Sequence, residues 1–143
     1  MPFRYLEDIA TADVAFEAWG PTLEDAFVAA ADATMNVMVQ DLATVAAHEQ
    51  RALRVEAESL DMLLFQLLQE LIYFKDAEQL LLRVPLVRIE TKAGSCTLDA
   101  DSYGEKIDPE KHELIVDVKA VTLHRFKLEQ DPQGWRASVI LDI

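Results

Sequence analysis

The sequence predicts an α+β protein, with largely antiparallel sheets of about six to eight strands packed with two helices. Three observations carry that prediction. Two segments, "GPTLEDAFVAAADATMNVM" and "SLDMLLFQLLQELIYFKDA", repeat apolar residues three and four apart, as helices do. From about Asp76 to Ile143 the apolar positions recur at every second residue instead. No linker, internal repeat or low-complexity stretch divides the two patterns, so residues 1–143 read as a single domain.

The elements follow in order. Phe3 to Leu6 reads as a short strand, and Asp13 to Trp19 as a second, with Val14, Phe16 and Ala18 alternating against their neighbours. Thr22 is the expected N-cap of the first helix, with Glu24 and Asp25 in the first turn where negative charge suits the dipole. Leu23, Phe27, Ala30, Ala31, Thr34 and Met38 form a narrow, alanine-rich face for packing closely on a sheet. "EQRALRVEAES" then alternates as a strand, and Ser59 is the expected cap of a second helix, Leu60 to about Ala77. Leu63, Leu64, Leu67, Leu68, Leu71, Ile72 and Phe74 make that helix apolar on several sides, which predicts deeper burial than the first.

The remaining runs, "LLLRVPLVRIETKA", "SCTLDADSY", "HELIVDVKAVTLHRFKLEQ" and "GWRASVILDI", all read as strand. Pro85 should bend the first of them or confine it to an edge, because it cannot donate to a ladder. Asp131-Pro132-Gln133-Gly134 is a turn that makes a hairpin of its flanks.

Composition narrows the function classes. Thirteen Lys and Arg against 26 Asp and Glu give a net charge of −13, which disfavours direct attraction to phosphate backbones. Any work on RNA is then expected to go through a partner. The lone Cys96 cannot form an internal disulfide, and no Cys/His spacing suits a structural zinc. "MPFRYLEDIATAD" carries acids where a signal peptide needs an apolar run, and "LDMLLFQLLQELIYF" is short and broken by Gln66, Gln69 and Glu70. A soluble cytoplasmic protein with no membrane role is the expectation.

Motifs for chemistry are sparse. The sequence has no Walker loop, no Gly-x-Gly-x-x-Gly and no Gly-x-Ser-x-Gly, and His48, His112 and His124 stand in separate segments. "DADSYGEKIDPE" imitates a calcium loop through Asp99, Asp101, Gly104 and Glu110. Tyr103 fills a ligand place there, however, and the flanks read as strand, which favours an acidic connection between strands.

Asp13 opens its strand and is either punctuation or part of a site, since Asp is depleted within strands and favoured at their ends. At the other end, "WRASVILDI" alternates to the last residue, so Asp142 and the Ile143 α-carboxylate form a pair of oxygen donors. A carboxylate brought within about 4 Å of another costs on the order of 4 kcal/mol at an effective dielectric near 20. A hard cation such as Ca²⁺, Mg²⁺ or Mn²⁺ would relieve that repulsion. Lys119 is expected on a strand face with Ile115, Asp117, Val121 and Leu123, and reads as a solvent-facing lysine at an edge or as an inward one seeking a carboxylate.

Taken together, "TADVAFEAWGPTLEDAF", "LLFQLLQELIYFKDAE", "DPEKHE", "VKAVTLH" and the terminal "VILDI" resemble the archease family along essentially the whole chain. The resemblance implies an archease-like fold and an accessory protein, not itself an enzyme. Its partner would be an RtcB-type tRNA-splicing RNA ligase, whose guanylylation and multiple turnover it promotes. It also implies a divalent-metal site, Ca²⁺ first with Mg²⁺ or Mn²⁺ as alternatives, made by the residues matching Asp13, Asp142 and Ile143. Lys119 matches a functional lysine and would contact a phosphate or carboxylate. Two positions depart from the family pattern: Ala10 stands where many archeases have His, and Leu123 where many have Tyr. A stand-alone metal-dependent hydrolase, or a general chaperone or modulator binding partners through a sheet edge, are the alternatives.

Overall fold

The structure is a computed structural model that describes residues 2–6 and 13–143. Two helices and eight strands are present among these residues, in the predicted order: β1 (Phe3–Leu6), β2 (Asp13–Gly20), α1 (Leu23–Met38), β3 (Glu49–Ala57), α2 (Leu60–Glu78), β4 (Leu80–Arg83), β5 (Arg88–Lys92), β6 (Ser95–Lys106), β7 (Ala120–Asp131) and β8 (Gly134–Asp142). All strand pairings are antiparallel, in two sheets. The first runs β1-β2-β8-β7; in the second, β6 pairs with β3, β4 and β5.

Local chemistry accounts for the element ends. The Thr22 side chain accepts a hydrogen bond from the Asp25 N–H at 3.1 Å, as the cap reading requires. Ser59 occupies the N-cap of α2 without a side-chain cap bond to the backbone; Asp61 accepts from the Met62 N–H instead. Pro85 breaks "LLLRVPLVRIETKA" into β4 and β5, and both pieces lie against β6. The β7-β8 hairpin turns at Pro132-Gln133, with the Asp131 carboxylate accepting from the Gln133 N–H. Gly134 has φ +141°, and a Cβ there would lie 2.2 Å from the Gly20 carbonyl oxygen, so only glycine fits the turn.

The core lies between the layers. Phe16, Ala18, Val139 and Leu141 of the first sheet join Leu53, Val55, Leu98 and Ala100 of the second in one buried cluster with both helices. α1 packs on β1, β2 and β8 and also touches β4, while α2 packs on β3, β4, β6 and β7. That placement reverses the expected depth of the helices. Ten of the 16 residues of α1 are buried, against seven of the 19 in α2. The alanines of α1 let surrounding elements approach closely all round, whereas Tyr73 of α2 faces out and Phe74 is half-buried.

The reading against a calcium loop holds, and other expectations are corrected. "DADSYGEKIDPE" is no calcium loop: its first eight residues belong to β6, where each is paired with β3, β4 or β5, and Asp99 is engaged by Arg54 at 2.9 Å. It is not a connection between strands either. "HELIVDVK" is not strand: residues 112–119 form an irregular segment with one isolated bridge, Val39 to Leu114, so Lys119 precedes β7 and shares no strand face with Ile115 and Asp117. β7 itself is interrupted, because Thr122 pairs with Ile140 but Lys127 with Ser138. The bulge pushes Leu123, His124 and Arg125 outward, and Arg125 takes φ +54°.

Candidate functional site

The register of the first sheet brings the start of β2 and the end of β8 together. Asp13 is the first residue of β2 and pairs directly with Asp142, the last residue of β8. Asp142 is in turn paired with Ala120 at the start of β7, and its carbonyl accepts a hydrogen bond of 2.8 Å from the Lys119 N–H. Ile143 follows immediately. Directly opposed residues project from the same face with Cβ atoms roughly 4.5–5.5 Å apart, so the two carboxylates are neighbours and like charges there repel. Both side chains are half-buried, and among the described residues neither forms a salt bridge.

Sequence-predicted site residues are therefore brought together in the backbone. Asp13, Asp142 and Ile143 meet at one sheet end, and the Lys119 backbone adjoins them while its side chain is exposed. Among the described residues no three His, Cys, Asp or Glu side chains gather to hold a metal ion. The opposed pair supplies two side-chain carboxylates, and Ile143, the third residue of the expected set, directly follows Asp142. Three hard oxygen groups suit Ca²⁺, Mg²⁺ or Mn²⁺ better than zinc. Ala10 lies outside the described residues; Leu123 is on the β7 bulge, exposed, and away from the paired start of that strand.

Two side-chain networks that the sequence reading missed hold the segment leading to Lys119. Lys75 of α2 is only 4% exposed, and its ammonium donates to the Asp117 carboxylate at 2.5 Å and the Val118 carbonyl at 2.8 Å, with Asp76 alongside. Burial pulls the Lys75 pKa down, but hydrogen bonds to Asp117 and Asp76 outweigh it and hold the group above its ordinary value. At the other end, Glu105 of β6 is 7% exposed and accepts from the Ala46 N–H at 3.0 Å, the Lys111 ammonium at 2.7 Å and His112 Nε2 at 2.8 Å. His112 Nδ1 accepts from the Asp108 N–H, which leaves Nε2 to carry the proton it gives Glu105. The Ala46 N–H first, and then Lys111 and His112, pull the Glu105 pKa down to about 2 against the opposing effect of burial. Spacing could have exposed Lys75, which follows Leu71 by four residues and so falls on the buried face of α2.

Comparison with known proteins agrees with this fold. The profile of the Archease protein family (MTH1598/TM1083) matches residues 3–143. The protein archease of Pyrococcus furiosus is 42% identical over 134 residues, covering 93% of this chain and 94% of that one. That of Methanosarcina mazei is 34% identical over 142 residues, covering 99% and 95%. The solution structure of Methanobacterium thermoautotrophicum protein 1598 superposes with a TM-score of 0.84 at 34% identity, over 99% of each chain. A crystal structure described as an archease, possible chaperone, from Thermotoga maritima superposes with a TM-score of 0.56 at 18% identity, a likeness of fold. On a match that runs from Phe3 to Ile143, the chain belongs to the archease family.

Proposed function

We propose that this chain is an accessory protein of an RtcB-type tRNA-splicing RNA ligase, promoting the ligase's guanylylation and multiple turnover rather than catalysing a reaction itself. The observation that carries this reading is the register that sets Asp13 opposite Asp142 beside the terminal residue. Family membership and a net charge of −13 support it, since so acidic a chain meets RNA most readily through a partner. The cytoplasm is the proposed location.

Asp13, Asp142 and the Ile143 α-carboxylate would hold a divalent ion, Ca²⁺ first and Mg²⁺ or Mn²⁺ as alternatives. Such an ion supplies charge stabilisation for phosphoryl oxygens. The chain's own contribution is placement. β8 is laddered on both sides, by β2 and by β7, so Asp142 is fixed in the sheet while Asp13 is fixed against it. The Lys119 N–H holds the Asp142 backbone, and the exposed Lys119 ammonium is free to contact a phosphate or carboxylate of the partner.

The test mixes the purified chain with its cognate ligase, GTP and metal and follows covalent guanylylate. Acceleration that disappears with Asp13→Asn and Asp142→Asn is expected; no acceleration by the wild-type chain sinks the reading. Phosphoester hydrolysis by the chain alone, lost on Asp13→Asn, would favour the metal-dependent hydrolase instead.

A further inference from the structure

Nine large hydrophobic side chains are exposed among the described residues, and their distribution is uneven. Tyr5 (40% exposed), Ile115 (50%) and Val116 (39%) line one groove of about 360 Å³, and Leu114 (44%) is the next residue along. Val14, Val37 and Ile143 add to its apolar wall, with Asn36 and Gln40 as its polar lining, and Val14 and Ile143 are next in sequence to Asp13 and Asp142. Successive strand residues point to opposite sides, so the groove and the carboxylate pair flank the same sheet end. The segment that presents Ile115 and Val116 is not laddered into a sheet, yet it is pinned at both ends by Glu105–His112 and Lys75–Asp117. An apolar surface held out to solvent on a fixed support marks an interaction site.

Charge selects the occupant. A second copy of this chain would bring another −13 to the same place, and the two would repel. Asp117 is balanced by Lys75, but Glu113 of the groove segment is exposed, and together with Asp13, Asp142 and the terminal carboxylate it leaves this surface net negative even against Lys119 and one divalent ion. We infer that the groove docks a segment of a partner protein that inserts an apolar side chain and carries flanking Lys or Arg toward these carboxylates. This rests on the proposed function in taking the partner to be the ligase. Apolar burial then supplies the anchor, and the flanking charges speed and orient the encounter.

The experiment titrates the wild-type chain and an Ile115→Ser/Val116→Ser double variant into the cognate RtcB-type ligase by calorimetry, with guanylylation measured in parallel. Both positions are exposed, so the variant is expected to melt like the wild type. Its Kd should rise by about tenfold or more, the size of effect that separates anchor residues from bystanders, and the chain concentration giving half-maximal acceleration should rise with it. Leu86→Ser, at an exposed leucine elsewhere, should change neither. Equal affinity of the double variant and the wild type overturns the groove, as does an equal loss with Leu86→Ser. A concentration-dependent dimer abolished by the double substitution reassigns the groove to a second copy, and a wild-type chain that does not bind the ligase removes it as a ligase dock. Binding that the double variant weakens, without any acceleration of guanylylation by the wild type, upholds the groove and sinks the proposed function alone.

Discussion

Glu105 and the Asp13–Asp142 pair are opposite solutions to placing carboxylates in one acidic fold. Glu105 is buried and surrounded by donors from Ala46, Lys111 and His112, with His48 Nδ1 3.3 Å away, so the fold itself neutralises it. Asp13 and Asp142 are set against each other at a sheet end, and among the described residues no Lys or Arg side chain pairs with either. A carboxylate that the fold satisfies holds the structure together. Two that the fold opposes without a counter-charge raise its free energy and leave room for a cation from outside.

Removing each charge separates the two cases by sign. Glu105→Gln is expected to have the largest effect, a loss of about 3 kcal/mol at neutral pH, because buried donors lose a charged acceptor. Its pH dependence follows from a folded pKa lowered from 4.5 to about 2. The stabilisation is fully present above the unfolded pKa and drains away as pH falls through about 2. Acid melts of the wild type should therefore steepen across that window, and those of Glu105→Gln should not. Unchanged stability in the variant would erase the contrast.

Metal addition comes next. At a concentration about 100 times Kd, Ca²⁺ should stabilise the wild-type chain by about 2.7 kcal/mol, seen as a rise in Tm that a chelator reverses. Asp142→Asn should show no such rise. A full response in that variant would remove the opposed pair from the metal site. Lys75→Met should cost about 2 kcal/mol, since it strips the Val118 carbonyl and Asp117 of their donor. Faster amide exchange across residues 114–119 would show that the loss is local to the pinned segment.

The smallest effect has the opposite sign. In the metal-free chain Asp13→Asn should raise stability by about 0.5 kcal/mol, the scale of a like-charge pair directly opposed across strands. A destabilisation there would mean that Asp13 is satisfied by the fold, as Glu105 is, and the comparison would fail.

Much of this was legible beforehand, for local reasons. Thr22 followed by Glu24 and Asp25 announces a helix start, Pro85 announces a break in a strand, and Asp131 to Gly134 announces a turn, each through chemistry confined to a few residues. Residues 112–119 misled because "HELIVDVK" alternates like a strand, yet Ile115 and Val116 face a groove, Val118 enters the core, and the backbone is held by single bonds to Met38, Lys75 and Asp142. Glu105 and Lys75 gave no local signal of burial by charge, because Lys111 and His112, and Asp117 and the Val118 carbonyl, lie outside β6 and α2; only the fourth-residue spacing from Leu71 hinted at Lys75.

By itself, the sequence determined the two periods, the caps, the breaks and the acidic balance, because side-chain spacing, backbone propensity and charge act over a turn or a strand. It also carried the candidate ligands Asp13, Asp142 and Ile143 through family resemblance, which implied that they meet without giving the register that sets them together. Only the tertiary structure decided that Asp13 lies opposite Asp142, that the alanine-rich helix is the more deeply buried, and that Glu105 is neutralised while, among the described residues, no Lys or Arg side chain pairs with the sheet-end carboxylates. Those are relations between residues as many as 129 positions apart. Strand register and layer packing set them, and both depend on which face of each strand the rest of the fold buries.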